Sequence, residues 1–345
     1  MENTKTLIAQ VNLLLKDIRE IIGRNIPYPE KSDLIGERLR RERIYLDKET
    51  IRQYRDNNDY VTIDPKLCRS LNNNDCEILN ANSFGPFNPK DYFMKDFRIL
   101  WILKEDYIKS QSWDDIETPD RGGHNKAEEY GDYEDAQYII TYKTVIKTVK
   151  EILQRKFQRP VDENEAMKHI CIIELNHFPG LNFKTYKSKD SFLEQWAVIN
   201  HELNSALINF YNPSLVVVNS GIMGSFLEIC DRYGNLVPPY PYHDIFNYLR
   251  QNNSIKHYNE SYCSEYTLTI AGRKLIKTEE SHSKRFLEGT GDNGIASALY
   301  DMNSCAWVGL NYHPIRGLME NENQYNRKWE GFAKAAFEFS EARND

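Results

Sequence analysis

A chain of 345 residues that is 40% hydrophobic and 28% charged carries enough apolar material for a sizeable core and too much to be read as disordered. Its formal net charge of −7 excludes a surface built throughout to grip nucleic-acid phosphates and leaves room only for a local basic groove. Six cysteines without a CxxC pair exclude a zinc ribbon or a redox dithiol. In chain order, Leu7, Val11, Leu14, Leu15, Ile18, Ile21 and Ile22 recur at helical spacing, and Gly23 with Pro27 and Pro29 stops that helix. The mixed-charge stretch 38–55 predicts a second helix. Its basic run, Arg38, Arg40, Arg41 and Arg43, is interleaved with Glu37 and Glu42, the pattern of a solvated face rather than a phosphate-binding one. Residues 58–96, rich in Asn, Pro and Asp, are expected to be irregular.

A regular alternation comes next. Residues 97–103 (FRILWIL) form a continuous apolar run of strand length, and 138–153 carries Val145, Val149, Ile152 and Leu153 on one helical face. Residues 170–175 (ICIIEL) predict a second strand. One long helix then runs through Phe192, Trp196, Ile199, Leu203, Leu207 and Phe210, ended by Asn212-Pro213. Residues 215–219 (LVVVN) predict a third strand with a short helix over 222–233 behind it. Residues 304–311 (SCAWVGLN) predict a fourth, before a C-terminal helix carrying Trp329, Phe332, Ala333, Ala336 and Phe337. Strands that are apolar throughout and alternate with helices need cover on both faces. The expected fold is therefore a three-layer α/β/α sandwich around a mainly parallel four-stranded sheet.

The stretch 234–303 breaks this rhythm and is expected to be an insertion, with a helix near 243–250 and a hairpin over 266–278. Gly289, Gly291 and Gly294 match GxGxxG literally but come after a charged stretch rather than a strand, so a turn is expected there, not a dinucleotide site. The acidic loop 114–135 around Arg121-Gly122-Gly123-His124 lacks fixed ligand spacing and reads as a solvated loop or lid; no metal or other cofactor is expected. Cys171 and Cys305 lie in apolar runs, where free thiols pack as small hydrophobes. The opening residues lack a signal-peptide pattern and no segment reaches the roughly 18 apolar residues of a membrane span, so the reducing cytoplasm is the expected compartment.

In open parallel sheets, ligands bind beyond the C-terminal strand ends. The first strand runs into Lys104-Glu105-Asp106-Tyr107 and the second into Asn176-His177-Phe178-Pro179-Gly180. The third delivers Asn219-Ser220-Gly221 and the fourth Asn311-Tyr312-His313-Pro314. Each tip alone suits a helix cap or loop hydrogen bond. Together they offer a carboxylate, carboxamides and a histidine.

This order resembles the uracil-DNA glycosylase superfamily: an Asp-bearing turn after one strand, an Asn at the end of the next, an Asn-Pro-x-Leu-Val-Val strand and a closing His-Pro. The resemblance covers about residues 97–340. It implies a 97–345 catalytic-type domain with the 234–303 insertion, preceded by a helical and irregular extension over 1–96 packed on it. It implies hydrolysis of the N-glycosidic bond of a uracil-like or modified base in DNA. Asp106 would orient water and stabilise the sugar cation, and His313 would hydrogen-bond the leaving base oxygen. Asn176 would read the edge of the flipped base, with Tyr107, Phe178 and Asn219 completing the base site, and Ile315 or Leu318 would be the apolar wedge. The partner implied is DNA or a nucleotide held in a local groove. The sequence departs from the family where Lys104 and Glu105 replace the first motif's glycine and glutamine. Tyr107 also comes one place early, and the last motif reads His-Pro-Ile-Arg. These departures keep a second reading open, a non-catalytic module that binds a nucleic acid, nucleotide or protein on the same fold. An unrelated α/β hydrolase is disfavoured, since neither a GxSxG elbow nor a Walker loop is present.

Overall fold

Apolar runs decide where this chain buries its backbone. In a computed structural model, residues 2–57, 60–69, 76–105, 107–109, 130–182, 187–219, 227–231, 266–270, 273–276, 296–302, 305–310 and parts of 330–341 are described. Helix α1 (Glu2–Gly23) buries Leu7, Val11, Leu14, Leu15, Ile18 and Ile21 of its sequence-predicted stripe and leaves Ile22 half-buried. Helix α2 (Tyr28–Arg40) begins with proline in its first turn, where a missing N–H costs nothing. The single helix expected over 38–55 does not form. Instead the chain turns into strand β1 (Arg43–Asp47), where Ile44 and Leu46 are buried and Arg43 is exposed, and only then into α3 (Lys48–Asn57). Alternation of period two is hidden there among charges. Strand β2 (Cys76–Asn80) pairs antiparallel with β1, so 58–96 is less irregular than expected.

Next come α4 (Pro89–Tyr92), the fully buried β3 (Ile99–Leu103) and the short β4 (Tyr107–Lys109). Helix α5 (Tyr133–Ala136) precedes α6 (Ile140–Phe157), which buries Val145, Ile146, Val149, Ile152 and Leu153. Helix α7 (Glu163–Met167) leads into β5 (Ile170–Glu174), also buried throughout, and β6 (Gly180–Asn182). The single long helix expected over 192–210 is two, α8 (Asp190–Ile199) and α9 (His201–Tyr211), divided at Asn200, whose side-chain amide donates to Leu175 O at 3.3 Å. Asn212, at φ 44°, ends α9. After strand β7 (Leu215–Asn219) comes β8 (Leu227–Asp231), a strand where a helix was expected. Leu227 and Ile229 alternate with Glu228 and Cys230 at strand rather than helix spacing. The remaining strands are β9 (Tyr266–Ile270), β10 (Arg273–Ile276), β11 (Ala296–Met302) and β12 (Cys305–Leu310). The helix expected near 243–250 and the glycines of 289–294 lie outside the described residues.

The chain forms two compact units. The first comprises Met1–Gly85, Leu103–Glu129 and Ile173–Phe210, the second Pro86–Ile102, Tyr130–Ile172 and Tyr211–Asp345. In the second, β3, β7 and β12 are parallel neighbours: Ile99 pairs with Leu215, and Leu215 with Ala306. They belong to a larger sheet of order β5-β3-β7-β12-β11-β10-β9-β8, whose pairings from β12 to β8 are antiparallel. The mainly parallel four-stranded sheet is therefore corrected to a mixed eight-stranded one. Strands of the 227–302 region extend it, with the expected hairpin as β9 and β10.

In the first unit, Arg38 turns inward from the basic run. Its guanidinium donates to Asp17 Oδ2 at 2.7 Å and to Glu42 Oε1 at 2.5 Å, tying α2 to α1. Arg40 donates to Ser83 Oγ at 2.6 Å. Strands β4 and β6 pair in parallel, Tyr107 opposite Gly180. Here glycine is required by a close approach, because a Cβ on Gly180 would sit 2.8 Å from the carbonyl oxygen of Val61. That oxygen already accepts from Leu181 N at 2.9 Å, so the backbone cannot yield without breaking a hydrogen bond. Gly180→Ala is expected to lower the unfolding free energy by about 1–3 kcal/mol, the usual cost of overpacking, as read by denaturant melts. An unchanged midpoint would show that Val61 moves freely.

Candidate functional site

The described part of the site lies in the first unit, where the chain leaves β3 and β5. The backbone ladder continues past both strands: Leu175 N donates to Leu103 O at 2.9 Å and Asn176 N to Lys104 O at 3.2 Å. That register sets Asn176 alongside the Lys104-Glu105 segment.

Asn176 is fully buried, and its two amide ends differ. Oδ1 accepts from Phe178 N at 3.1 Å, an Asx turn that shapes the 176–178 corner, whereas Nδ2 is buried without a hydrogen-bond partner among the described residues. Glu105 keeps part of its surface in solvent but buries its carboxyl. Oε1 accepts from Thr62 Oγ1 at 2.5 Å, while Oε2 is buried and likewise unpartnered among the described residues. Thr62 has no choice of partner: its oxygen accepts from Lys189 N at 2.8 Å, so its proton is left for the carboxyl. Burial pushes the Glu105 carboxyl up to about 7, against the opposing pull of Thr62, of nearby Ser188 and Asn176, and of the Lys104 charge. Ser188 and Asn176 thus stand near enough to favour the ionised form, yet Oε2 makes no bond of hydrogen-bonding geometry. Lys104 is held off by an ion pair with Asp190 Oδ1 at 2.9 Å.

His177 is held by Asn204. Its Nε2 lies 2.9 Å from Asn204 Oδ1, an acceptor, so Nε2 carries the proton and Nδ1 presents a buried lone pair with no partner among the described residues. The assignment holds because Asn204 Nδ2 is used on Leu175 O at 3.2 Å. Burial pushes the ring down to about 4, so it is neutral at pH 7, although the Asn204 bond works the other way.

Thr62 is positioned by its neighbours. Val61 N donates to Lys187 O at 2.8 Å, Tyr54 Oη to Thr62 O at 3.2 Å and the Trp196 indole to Ile63 O at 2.8 Å. The Lys189 ammonium rests over the Tyr60 and Phe192 rings, 4.4 and 4.2 Å from their centroids.

Of the residues expected from sequence, Asn176 is placed at this site. Phe178 is buried, packed on Trp196 with ring centroids 5.6 Å apart. Tyr107 lies on β4 and Asn219 closes β7, but their side chains are outside the described residues, as are Asp106, His313, Ile315 and Leu318. From the sequence Glu105 is one residue of the first strand's tip and a departure from the family motif, and Thr62 sits in a stretch expected to be irregular. Neither has a spacing signal; only the fold makes them neighbours. A carboxyl that titrates near neutrality beside an unengaged amide donor can accept or donate a proton and can bind a complementary polar edge. Among the described residues no three His, Cys, Asp or Glu side chains cluster as metal ligands, and no helix is long and apolar enough to cross a membrane.

The two perturbed groups act oppositely on stability. Glu105 is raised from 4.5, so the stability it contributes is full below pH 4.5 and is lost as pH rises to about 7. His177 is lowered from 6.5, so its contribution is full above pH 6.5 and is lost as pH falls to about 4. Glu105→Gln is expected to gain thermal stability relative to the unaltered protein at pH 8 and to lose that advantage at pH 4.5. A difference that does not change with pH would show that the Glu105 carboxyl titrates normally.

Compared with family models, with curated proteins and with solved structures, the chain finds no match.

Proposed function

We propose that this chain is a uracil-DNA glycosylase-like protein that hydrolyses the N-glycosidic bond of a uracil-like or modified base in DNA, on a three-layer α/β/α fold. The observation that carries this reading is the Asn176 amide, buried at the end of β5 with its donor hydrogens unengaged among the described residues. A buried donor left unpaired costs about 1–3 kcal/mol, so such a group is kept for a ligand that pairs it. The parallel β3, β7 and β12 suit a fold that presents ligands at strand ends.

In this reading, bond cleavage develops positive charge on the sugar and negative charge on the base oxygen. The Asp106 carboxylate stabilises the first and orients the attacking water. His313 donates to the second, and Asn176 holds the base. Ile315 or Leu318 fills the space the flipped base leaves.

A second reading, a binding module on the same fold, draws on one observation: Asn176 Oδ1 is committed to Phe178 N, so part of that side chain serves the turn. Base release from uracil-containing single- and double-stranded DNA separates the two. Asp106→Asn and His313→Ala are each expected to lower turnover by about 10²-fold or more with the melting temperature unchanged. If the unaltered protein releases no base from any deaminated or modified substrate, the binding reading replaces the hydrolase.

A further inference from the structure

Two unengaged polar atoms of opposite kind lie close together. Asn176 Nδ2 can only donate. Glu105 Oε2, when ionised, can only accept, and its partner oxygen is already taken by Thr62. Both atoms are buried and neither has a partner of hydrogen-bonding geometry among the described residues, while the Asn176 amide faces the Glu105 carboxyl as a donor closely enough to favour its charge. A ligand edge that satisfies both must carry a donor beside an acceptor. In nucleobases that is the cis-amide edge, a ring N–H flanked by a carbonyl, present in uracil and hypoxanthine. Cytosine and adenine offer the reverse, a bare ring nitrogen beside an amino group.

We infer that Glu105 and Asn176 form one acceptor–donor pair that selects keto bases, with the Glu105 carboxylate taking the ring N–H and the Asn176 amide bonding the adjacent carbonyl. This rests on the nucleobase reading above and adds to it the residue that accepts the ring proton. The carboxylate, not the Asn176 carbonyl, performs that task, because the carbonyl is engaged by Phe178 N. Thr62 is the positioning residue. Its hydroxyl, oriented by Lys189 N, holds Oε1 and so fixes where Oε2 points.

The competing arrangement is a direct bond between the two side chains, reached by a small rotation, which would leave nothing for a ligand. Equilibrium binding by the full chain at pH 8, where Glu105 is ionised, tells them apart. The probes are uridine against cytidine, inosine against adenosine, and short single strands with one central 2′-fluoro-deoxyuridine or 2′-fluoro-deoxycytidine, whose sugars resist cleavage. The keto member is expected to bind about tenfold tighter or more, the discrimination set by leaving buried polar groups unpaired. Glu105→Gln, whose amide oxygen Thr62 would hold so that the NH2 group stands where Oε2 accepted, is expected to bring that ratio to within about threefold or to reverse it while the protein stays folded. Asn176→Asp, which removes the donor, serves as the second variant and is expected to shift the ratio toward the amino base. Equal binding of both members, no binding of any probe, or a ratio unmoved by Glu105→Gln overturns the pair. Base release is read separately. Release without preference would overturn this inference and leave the hydrolase standing, whereas preference without release would support the pair and overturn the hydrolase.

Discussion

The first unit is organised around one cost, that of keeping the Glu105 carboxyl out of water. A carboxylate loses its hydration on burial and regains only what nearby donors return. Here one oxygen has Thr62 and the other has nothing among the described residues, and the outcome is a group that titrates near neutrality. Holding Thr62 in place then dictates much of the local structure. The 61–63 segment is bonded on both sides, to Lys187 and to Leu181, and Gly180 has no side chain because Val61 passes too close for one. The Tyr54 hydroxyl and the Trp196 indole secure the same segment from two helices.

The polar side chains behind β5 answer a similar demand. Leu175 O, past the end of the strand, accepts from both Asn200 and Asn204. Asn200 divides α8 from α9 in doing so, and Asn204 fixes the His177 tautomer with its remaining oxygen. A neutral buried imidazole is cheap to keep and a charged one is not, which is why the ring is displaced toward acid. The result is that Asn200, Asn204 and His177 have their hydrogen-bond directions settled by the fold.

The second unit borders its buried sheet with hydrogen bonds to backbone, packed rings and one ion pair. His169 donates through Nδ1 to Phe97 O at 2.7 Å, and the Tyr92 hydroxyl donates to Tyr211 O at 3.3 Å, so these two buried side chains find backbone partners. The Tyr92 and Tyr211 rings meet edge to face, with Phe93 stacked on Tyr211. Lys156 lies over the Phe97 ring at 4.6 Å and pairs with Glu341 at 2.5 Å.

What the sequence determined by itself is the set of elements whose burial is complete. Residues 99–103, 170–174 and 215–219 are apolar almost without interruption, and the α1 stripe is regular, because hydrophobic burial leaves a direct mark on residue order. It also brought out Asn176, since a carboxamide at the end of an apolar run stands apart from its neighbours. Elements with weak or mixed patterns were decided by the tertiary structure. Strand β1 exists because β2 pairs with it, β8 because β9 does, and the helix expected over 192–210 is divided at Asn200, whose amide turns to Leu175 O. The carboxyl of Glu105 belongs with these. A charged residue between a lysine and an aspartate reads as surface; only the fold buries its carboxyl, which displaces its titration upward, and brings to it Thr62, 43 positions away in the chain, whose hydrogen bond offsets part of that displacement. Burial and pairing are properties of neighbours in space, and no local pattern encodes neighbours that distant.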